Sequence, residues 1–240
     1  MKNIALIICI ILFSTALKAQ DTTVVIVQPN PEPVQEYLPR FSAIEVDAPI
    51  KLTLIKIGSS EAPRIIYDTK GVTTSRFTAE VNPRTSTLVI SERSDSRRES
   101  VTEVTVYFHN LTDISISKAD VTVDGVIDTQ LLDIKVSNDS HFVAEIDVLD
   151  LYFTASGRSC ILLNGSARYQ TIDISTAEYD ADGLESMSCV AVSSHNARIE
   201  IDATERLECR TTTGGSVHYK STPIILRSEI TLFGGEITQL

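Results

Sequence analysis

The sequence predicts an all-β fold: a right-handed, single-stranded β-helix-like solenoid with a strand-rich N-terminal part. Three observations predict it. Hydroxyl residues recur at Ser117, Ser137, Ser156, Ser175, Ser193 and Thr212, at spacings of 20, 19, 19, 18 and 19 residues. An alternating pair of largely apolar residues precedes each: Ile114 and Ile116, Ile134 and Val136, Phe153 and Ala155, Ile172 and Ile174, Val190 and Val192, Cys209 and Thr211. No stretch of the body places apolar residues at the helical spacing of three to four. A fixed period near twenty residues marks a solenoid, because one such coil cannot bury its own apolar side and a stack of them can. Strand pairing between coils sets a rise of about 4.8 Å, so six coils give a rod of roughly 30 Å. The leucine-rich repeat shares this period, but its regular leucines and asparagine are missing here. Right-handed coiling follows from the chirality rule for parallel crossovers.

Taken from the N-terminus, residues 1–19 read as a signal peptide. Lys2 supplies a basic start, Ile4 to Phe13 an apolar stretch too short for a membrane span, and Ala19 a small residue before a cut at Gln20. Cys9 lacks the small residues that precede a lipidated cysteine. Residues 20–40 carry Pro29, Pro31, Pro33 and Pro39, which favour extended chain, and read as a Pro-rich linker with an edge strand possible at Thr23 to Val27. The folded domain then occupies 41–240.

In that domain Ile44, Val46, Ile50, Leu52 and Leu54 alternate in the manner of strands. "PRIIYD", "RFTAEV", "STLVISE" and "EVTVYFH" follow, each bounded by turn residues. "RSDSRRES", 93–100, is a charged loop with no apolar anchor. From Leu111 the repeats begin. After most of the recurring hydroxyls comes a second apolar piece: Val121 and Val123, Phe142 to Ala144, Ile161 to Leu163, Ile199 and Ile201, Val217 and Tyr219. The fourth unit is weakest, with "EYDADGLESM" in that place.

Several of these stretches resemble the head GIN domain, a bacterial family described both as auto-transporter adhesins and as a domain of unknown function. The resemblance rests on "FSAIEVDAPIKLTLIKIG", "STLVISE", "EVTVYFHNLTDISISKADV" and above all "TTTGGSVHYKSTP", with Gly214, Gly215, Ser216, Val217, Tyr219 and Pro223, and spans about 41–225. The turns "SKADV", "SNDSH", "SGRSC" and "SSHNA" have mostly lost the family's glycines. The resemblance implies a β-helix-like fold in the periplasm, at the outer surface or outside a Gram-negative cell. It implies no catalytic, cofactor-binding or metal-binding residues.

Composition narrows the function. The net charge of -11 opposes nucleic acid or anionic membrane as partner, since phosphate binding needs clustered Lys and Arg. Beyond the leader only Cys160, Cys189 and Cys209 remain, enough for one bridge at most, and they read as small, partly buried side chains. His109, His141, His195 and His218 are scattered without metal-ligand spacing. The sequons at Asn110, Asn138 and Asn164 carry little weight in a bacterium. The aspartates Asp120, Asp124, Asp128, Asp139, Asp147, Asp150, Asp180 and Asp182 fall at turns and outward positions, where Asp is favoured by capping and solvation. No pair of them stands out as the acid and base of a glycosidase.

Two functions follow as expectations. The first is an exported, non-catalytic adhesin or envelope module that binds a glycan or a protein, with Tyr152, Tyr169, Tyr179 and Tyr219 as candidates for stacking on sugars. The alternative is a carbohydrate-active β-helix enzyme, a polysaccharide lyase or hydrolase. Exposed solenoid ends also make a homodimer plausible.

Overall fold

The computed structural model describes residues 32–70, 76–93, 100–231 and 233–240. The signal peptide, the strand at Thr23 to Val27 and most of the charged loop 93–100 lie outside them. The described residues form strands and turns throughout. The strands are β1 (Val34–Tyr37), β2 (Ala43–Asp47), β3 (Ile50–Lys56), β4 (Arg64–Asp68), β5 (Phe77–Asn82), β6 (Thr87–Glu92), β7 (Thr102–Phe108) and β8 (Asp113–Ser117). Five long strands follow: β9 (Asp120–Ser137), β10 (His141–Ala155), β11 (Cys160–Ser175), β12 (Glu178–Ser194) and β13 (Arg198–Thr211). The chain ends in β14 (Ser216–Tyr219), β15 (Ile225–Ile230) and β16 (Ile237–Gln239).

Each long strand bends midway and contributes to two walls. The first wall runs β1-β4-β7-β3, then the leading halves of β9 to β13, then β14 and β16. The second runs β5-β6-β2-β8, then the trailing halves of β9 to β13, then β15. The coils stack parallel, and β10 meets β11 at an offset of 19 residues, His141 opposite Cys160 and Ala155 opposite Ile174. That offset is the sequence period. Ten rungs at the usual strand spacing make a stack of about 45 Å, longer than six coils alone would reach.

Equivalent inward residues form continuous ladders. One in the second wall runs Leu88, Ile44, Ile114, Ile134, Phe153, Ile172, Ala191, Cys209, Ser228. One in the first wall runs Val104, Leu52, Val121, Phe142, Ile161, Tyr179, Ile199, Val217, Ile237. Of these eighteen residues all but Ser228 and Ile237, on the last coil, are at least nine-tenths buried. The walls meet across the core: the Phe153 and Tyr179 rings touch edge to face, centroids 4.9 Å apart.

The structure corrects the sequence reading in three places. In the fifth unit the phase is off by one residue. Ser194, not Ser193, lies opposite Ser175, and the inward residues are Cys189, Ala191 and Ser193, while Val190 is 39% exposed. The segment "SCVAVSS" offers two strand phases, and packing selects the smaller residues because bulky Tyr179 already fills the interior beside them. "EYDADGLESM", the apparent weak point, is regular strand, the leading half of β12, with Tyr179, Ala181 and Leu184 buried. Finally, part of the segment read as linker is paired: Val34–Tyr37 runs antiparallel to β4, although every residue of it is exposed.

The N-terminal strands do not stack in chain order. The β2–β3 coil lies between the β6–β7 coil on one side and the β8–β9 coil on the other. The first coil, β2–β3, thus lies inside the stack; the chain builds the next coil outward of it, then returns to build the rest. Antiparallel β4 and β1 finish the first wall at this end, and antiparallel β5 finishes the second.

The coil-to-coil turns explain the lost glycines. Left-handed backbone is held by Lys118, by Asn138 and Asp139, by Gly157 and Arg158, by Thr176, by His195 and Asn196, and by Thr213 and Gly214. Asn and Asp tolerate this region, whereas Lys, Arg and Thr are disfavoured there by roughly 1–2 kcal/mol each. The turns are tied to their neighbours in return. Thr176 Oγ1 accepts from Gly157 N at 3.0 Å and donates to Ser175 O at 2.6 Å. The inward residue closing each turn is small: Ala119, Ser140, Ser159, Ala177, Ala197. Ser140 and Ser159 donate to Ser137 O and Ser156 O at 2.6 and 2.8 Å.

Gly165 leaves no room for a side chain. Gly165 sits at φ +109 in β11 directly opposite Ile146, and a Cβ there would lie 2.1 Å from the Ile146 carbonyl oxygen. Gly58 has nothing within 4 Å of the same position. Gly165→Ala is expected to destabilise the domain by about 3 kcal/mol or more, and Gly58→Ala to stay within about 0.5 kcal/mol of wild type. Urea unfolding of both variants checks this.

Candidate functional site

A regular solenoid offers faces rather than a cleft, so the side chains that could meet a ligand are the outward ladders. The outer face of the second wall gathers the most varied chemistry. Along it lie Leu131, Asp133 and Lys135 from β9, Asp150, Tyr152 and Thr154 from β10, Tyr169, Thr171 and Asp173 from β11, and Val190 from β12. Tyr152 is 46% and Tyr169 42% exposed. Tyr152 stands between Asp133 and Thr171, and Tyr169 between Asp150 and Ser188. Tyr169 is opposite Asp150, two positions before Tyr152, so the two rings are diagonal neighbours with Cα atoms roughly 8 Å apart from strand rise and spacing. The Arg168 guanidinium lies 5.5 Å from the Tyr169 ring centre.

Three shallow depressions lie on the same face. One is lined by Glu45, Thr87, Asp113, Ser115, Asp133 and Lys135 among others. A second joins it at Lys135 and includes Thr154, Asp173 and Ser175. A third lies nearer the C-terminal end between Val190, Val192, Glu208, Arg210, Arg227 and Glu229. Together with the tyrosines they form a long surface in which aromatic, hydroxyl and charged groups alternate.

The other tyrosine candidates do not share this face. Tyr179 is 1% exposed and fills the core, its OH donating to Gln170 Oε1 at 3.4 Å. Burial pushes its ionisation well above the ordinary range. Tyr219 is half-buried and packs against the core. Sequence position alone could not separate these two from Tyr152 and Tyr169; the inward or outward phase of each strand does.

The eight aspartates are dispersed. Asp120, Asp124, Asp128, Asp139 and Asp147 are exposed, and Asp150, Asp180 and Asp182 half-buried. Several are paired: Asp128 with Lys56, Asp139 with Arg158 at 2.9 Å, Asp120 with His141 at 2.6 Å. Asp147 accepts from Ser166 Oγ at 2.6 Å. Asp128 and Asp147 are register partners on adjacent coils, but both are open to solvent rather than set in a groove. Sequence reading missed Asp202, which is 8% exposed at the bend of β13, and Gln170, which stands in an apolar ladder between Leu151 and Cys189. Neither carries a pattern signal, because each occupies an inward position normally given to an apolar side chain.

The histidines each bond locally: His109 to Glu61 O, His195 to Ser175 Oγ and His218 to Thr238 Oγ1, besides His141 to Asp120. Among the described residues no three His, Cys, Asp or Glu side chains converge as a metal site. Cys160 is exposed and Cys189 and Cys209 are buried, all three as free thiols. Burial pushes the Cys209 thiol up to about 12. Among the described residues no helix is long and apolar enough to cross a membrane.

A family model described as "putative auto-transporter adhesin, head GIN domain" matches residues 40–223. The chain belongs to the head GIN domain family. Solved structures with the same fold include one described as a "putative adhesin" from Bacteroides fragilis NCTC 9343. It is 17% identical, with a TM-score of 0.77, and the match covers 87% of this chain and 96% of that one. A "putative adhesin" from Parabacteroides merdae ATCC 43184 is 16% identical at a TM-score of 0.65, covering 87% and 95%. A "putative lipid binding protein" from Parabacteroides distasonis ATCC 8503 is 16% identical at 0.67, covering 88% and 97%. At this level of identity the likeness shows the shared fold alone. No curated protein matches the chain.

Surface ion pairs contribute to the acid response of this head GIN domain. A hydrogen bond from Lys118 holds Asp47 below the ordinary carboxylate range, Lys70 does the same for Asp68, and Arg206 for Glu208. Depressed carboxylates stabilise the fold above the ordinary range, and that contribution is lost as pH falls through their lowered values. The melting temperature is therefore expected to hold near neutral pH and to fall between about pH 5 and 2, with a smaller fall in Asp47→Asn. Thermal unfolding followed by circular dichroism across that range checks the sign.

Proposed function

We propose that this protein is an exported, non-catalytic envelope module that binds an extended glycan along the outer face of the second wall. The observation that carries the reading is the diagonal pair Tyr152 and Tyr169, both half-exposed on one flat strand face. Around them stand Asp133, Lys135, Thr154, Thr171 and Asp173. Aromatic rings take the apolar faces of sugars, and flanking hydroxyl and charged groups take their hydroxyls. A repeating surface suits a repeating ligand. The adhesin description shared by the family and two of the structural neighbours supports a surface role. A protein ligand on the same face is the nearest variant of this reading.

Export rests on the leader read at 1–19, which delivers the chain to the periplasm, the outer surface or the medium of a Gram-negative cell. The net charge of -11 fits a partner other than nucleic acid. A lyase or hydrolase reading is weaker, because it needs an acid and a base held in a groove and the aspartates are spread over solvated positions.

A glycan array with the purified chain tests the reading. Binding to a polymeric glycan is expected, with Tyr152→Ala and Tyr169→Ala each weakening it by about three- to tenfold, the size of a lost aromatic contact. No reducing ends should appear when the bound glycan is incubated with the protein. Turnover abolished by a single aspartate substitution would replace this reading with the enzyme.

A further inference from the structure

The two ends of the stack are finished differently. At the N-terminal end, antiparallel β1, β4 and β5 cover the last parallel coil. At the C-terminal end no such strand is present among the described residues. β15 pairs with β13 on one edge, β16 with β14, and their other edges are open. The inward ladders therefore stop at an uncovered rung. Leu226 continues the ladder Leu132, Leu151, Gln170, Cys189, Leu207, and Ile230 continues Ile174, Ser193, Thr211. Their counterparts one coil earlier, Leu207 and Thr211, are 0% exposed, yet Leu226 is 43% and Ile230 56% exposed. A flat, open parallel edge bearing core-type side chains is a template for another strand.

We propose that this edge pairs with the same edge of a second copy, β15 running antiparallel to the partner's β15 about a two-fold axis through Ser228. The sequence of β15, Ile-Leu-Arg-Ser-Glu-Ile, is self-complementary in that register alone. Centred on Ser228, Leu226 faces Ile230 of the partner subunit on the inward side. Arg227 faces Glu229 of the partner subunit on the outward side. Both pairs occur twice by symmetry. Shifting the centre by one residue sets Arg227 against itself or Glu229 against itself, and like charges directly opposite are destabilising. A half-residue shift opposes inward with outward side chains and breaks both walls. The outward charges are already part of a ladder, Arg227 with Glu208 at 3.1 Å and Glu229 with Arg210 at 3.6 Å. An axis normal to the second wall keeps that wall continuous with its partner's. The dimer is one long rod with its tyrosine faces on one side and the antiparallel caps at both outer ends.

The test uses the exported chain without a C-terminal tag, by sedimentation velocity and native mass spectrometry. Wild type is expected as a dimer. Arg227→Glu sets like charges opposite one another in both symmetric pairs, as does Glu229→Arg. Each variant alone is expected to dissociate at least about tenfold more readily. Mixed, the two variants restore opposite charges at every pair and should form a heterodimer near wild-type strength. That recovery also shows that both variants are folded. A monomeric wild type, variants that dimerise as well as wild type, a mixture that stays monomeric, or open-ended head-to-tail oligomers would each overturn the proposal.

Discussion

Everything in this molecule depends on coaxial burial: each coil covers the apolar side of its neighbour and none covers its own. An inward Ile or Phe in mid-stack touches equivalents above and below, as Phe153 does with Ile134 and Ile172. Full burial of such a side chain contributes about 1.5–3 kcal/mol. The same residue on a terminal coil gains only part of that. Stability is therefore a sum of neighbour terms along one axis, and the ends are its weak points. The N-terminal end answers this with antiparallel strands. The C-terminal end leaves Leu226 and Ile230 open, and the charge pattern of β15 matches its own reverse.

The stack also explains how function is distributed. Because inward positions are committed to packing, chemistry is confined to outward ladders, where neighbours repeat every coil. The eight aspartates on those ladders are spread over exposed and half-buried positions. Such a surface assembles rows. On the second wall the rows bring Tyr152 and Tyr169 together with hydroxyls and carboxylates on a flat face, an arrangement suited to an extended ligand.

Much of this was legible in the sequence, for a physical reason. A period of nineteen in hydroxyls and apolar pairs is a direct image of the ladder offset, so the sequence alone marks Ile114, Ile134, Phe153 and Ile172 as neighbours. The fifth unit slipped because Val190 and Val192 look more like core than Cys189 and Ala191. Side-chain volume across the core, set by Tyr179, decided the phase. The weak fourth unit was a similar error, since a single buried Tyr replaces several smaller apolar groups. The order of the N-terminal strands was not legible, because parallel pairing leaves no sequence mark of which coil lies above which. For the site, aromatic character gave the four tyrosines as stacking candidates but not which of them face outward, and Tyr179 is 1% exposed.

The central claim is tested most directly by double electron–electron resonance between paired spin labels in a Cys160→Ser background. Outward positions on one ladder are Val89, Glu45, Ser115, Lys135, Thr154, Asp173, Val192, Arg210 and Glu229. With one label at position 135, the second moves to 192, 210 and 229, and the separation should grow by about 5 Å per coil. On the other side, position 45 should lie nearer to 135 than position 89 does, although 89 is closer along the chain. A distance to 89 shorter than to 45, or separations that fail to rise evenly from 192 to 229, would contradict the stacked order described for this protein.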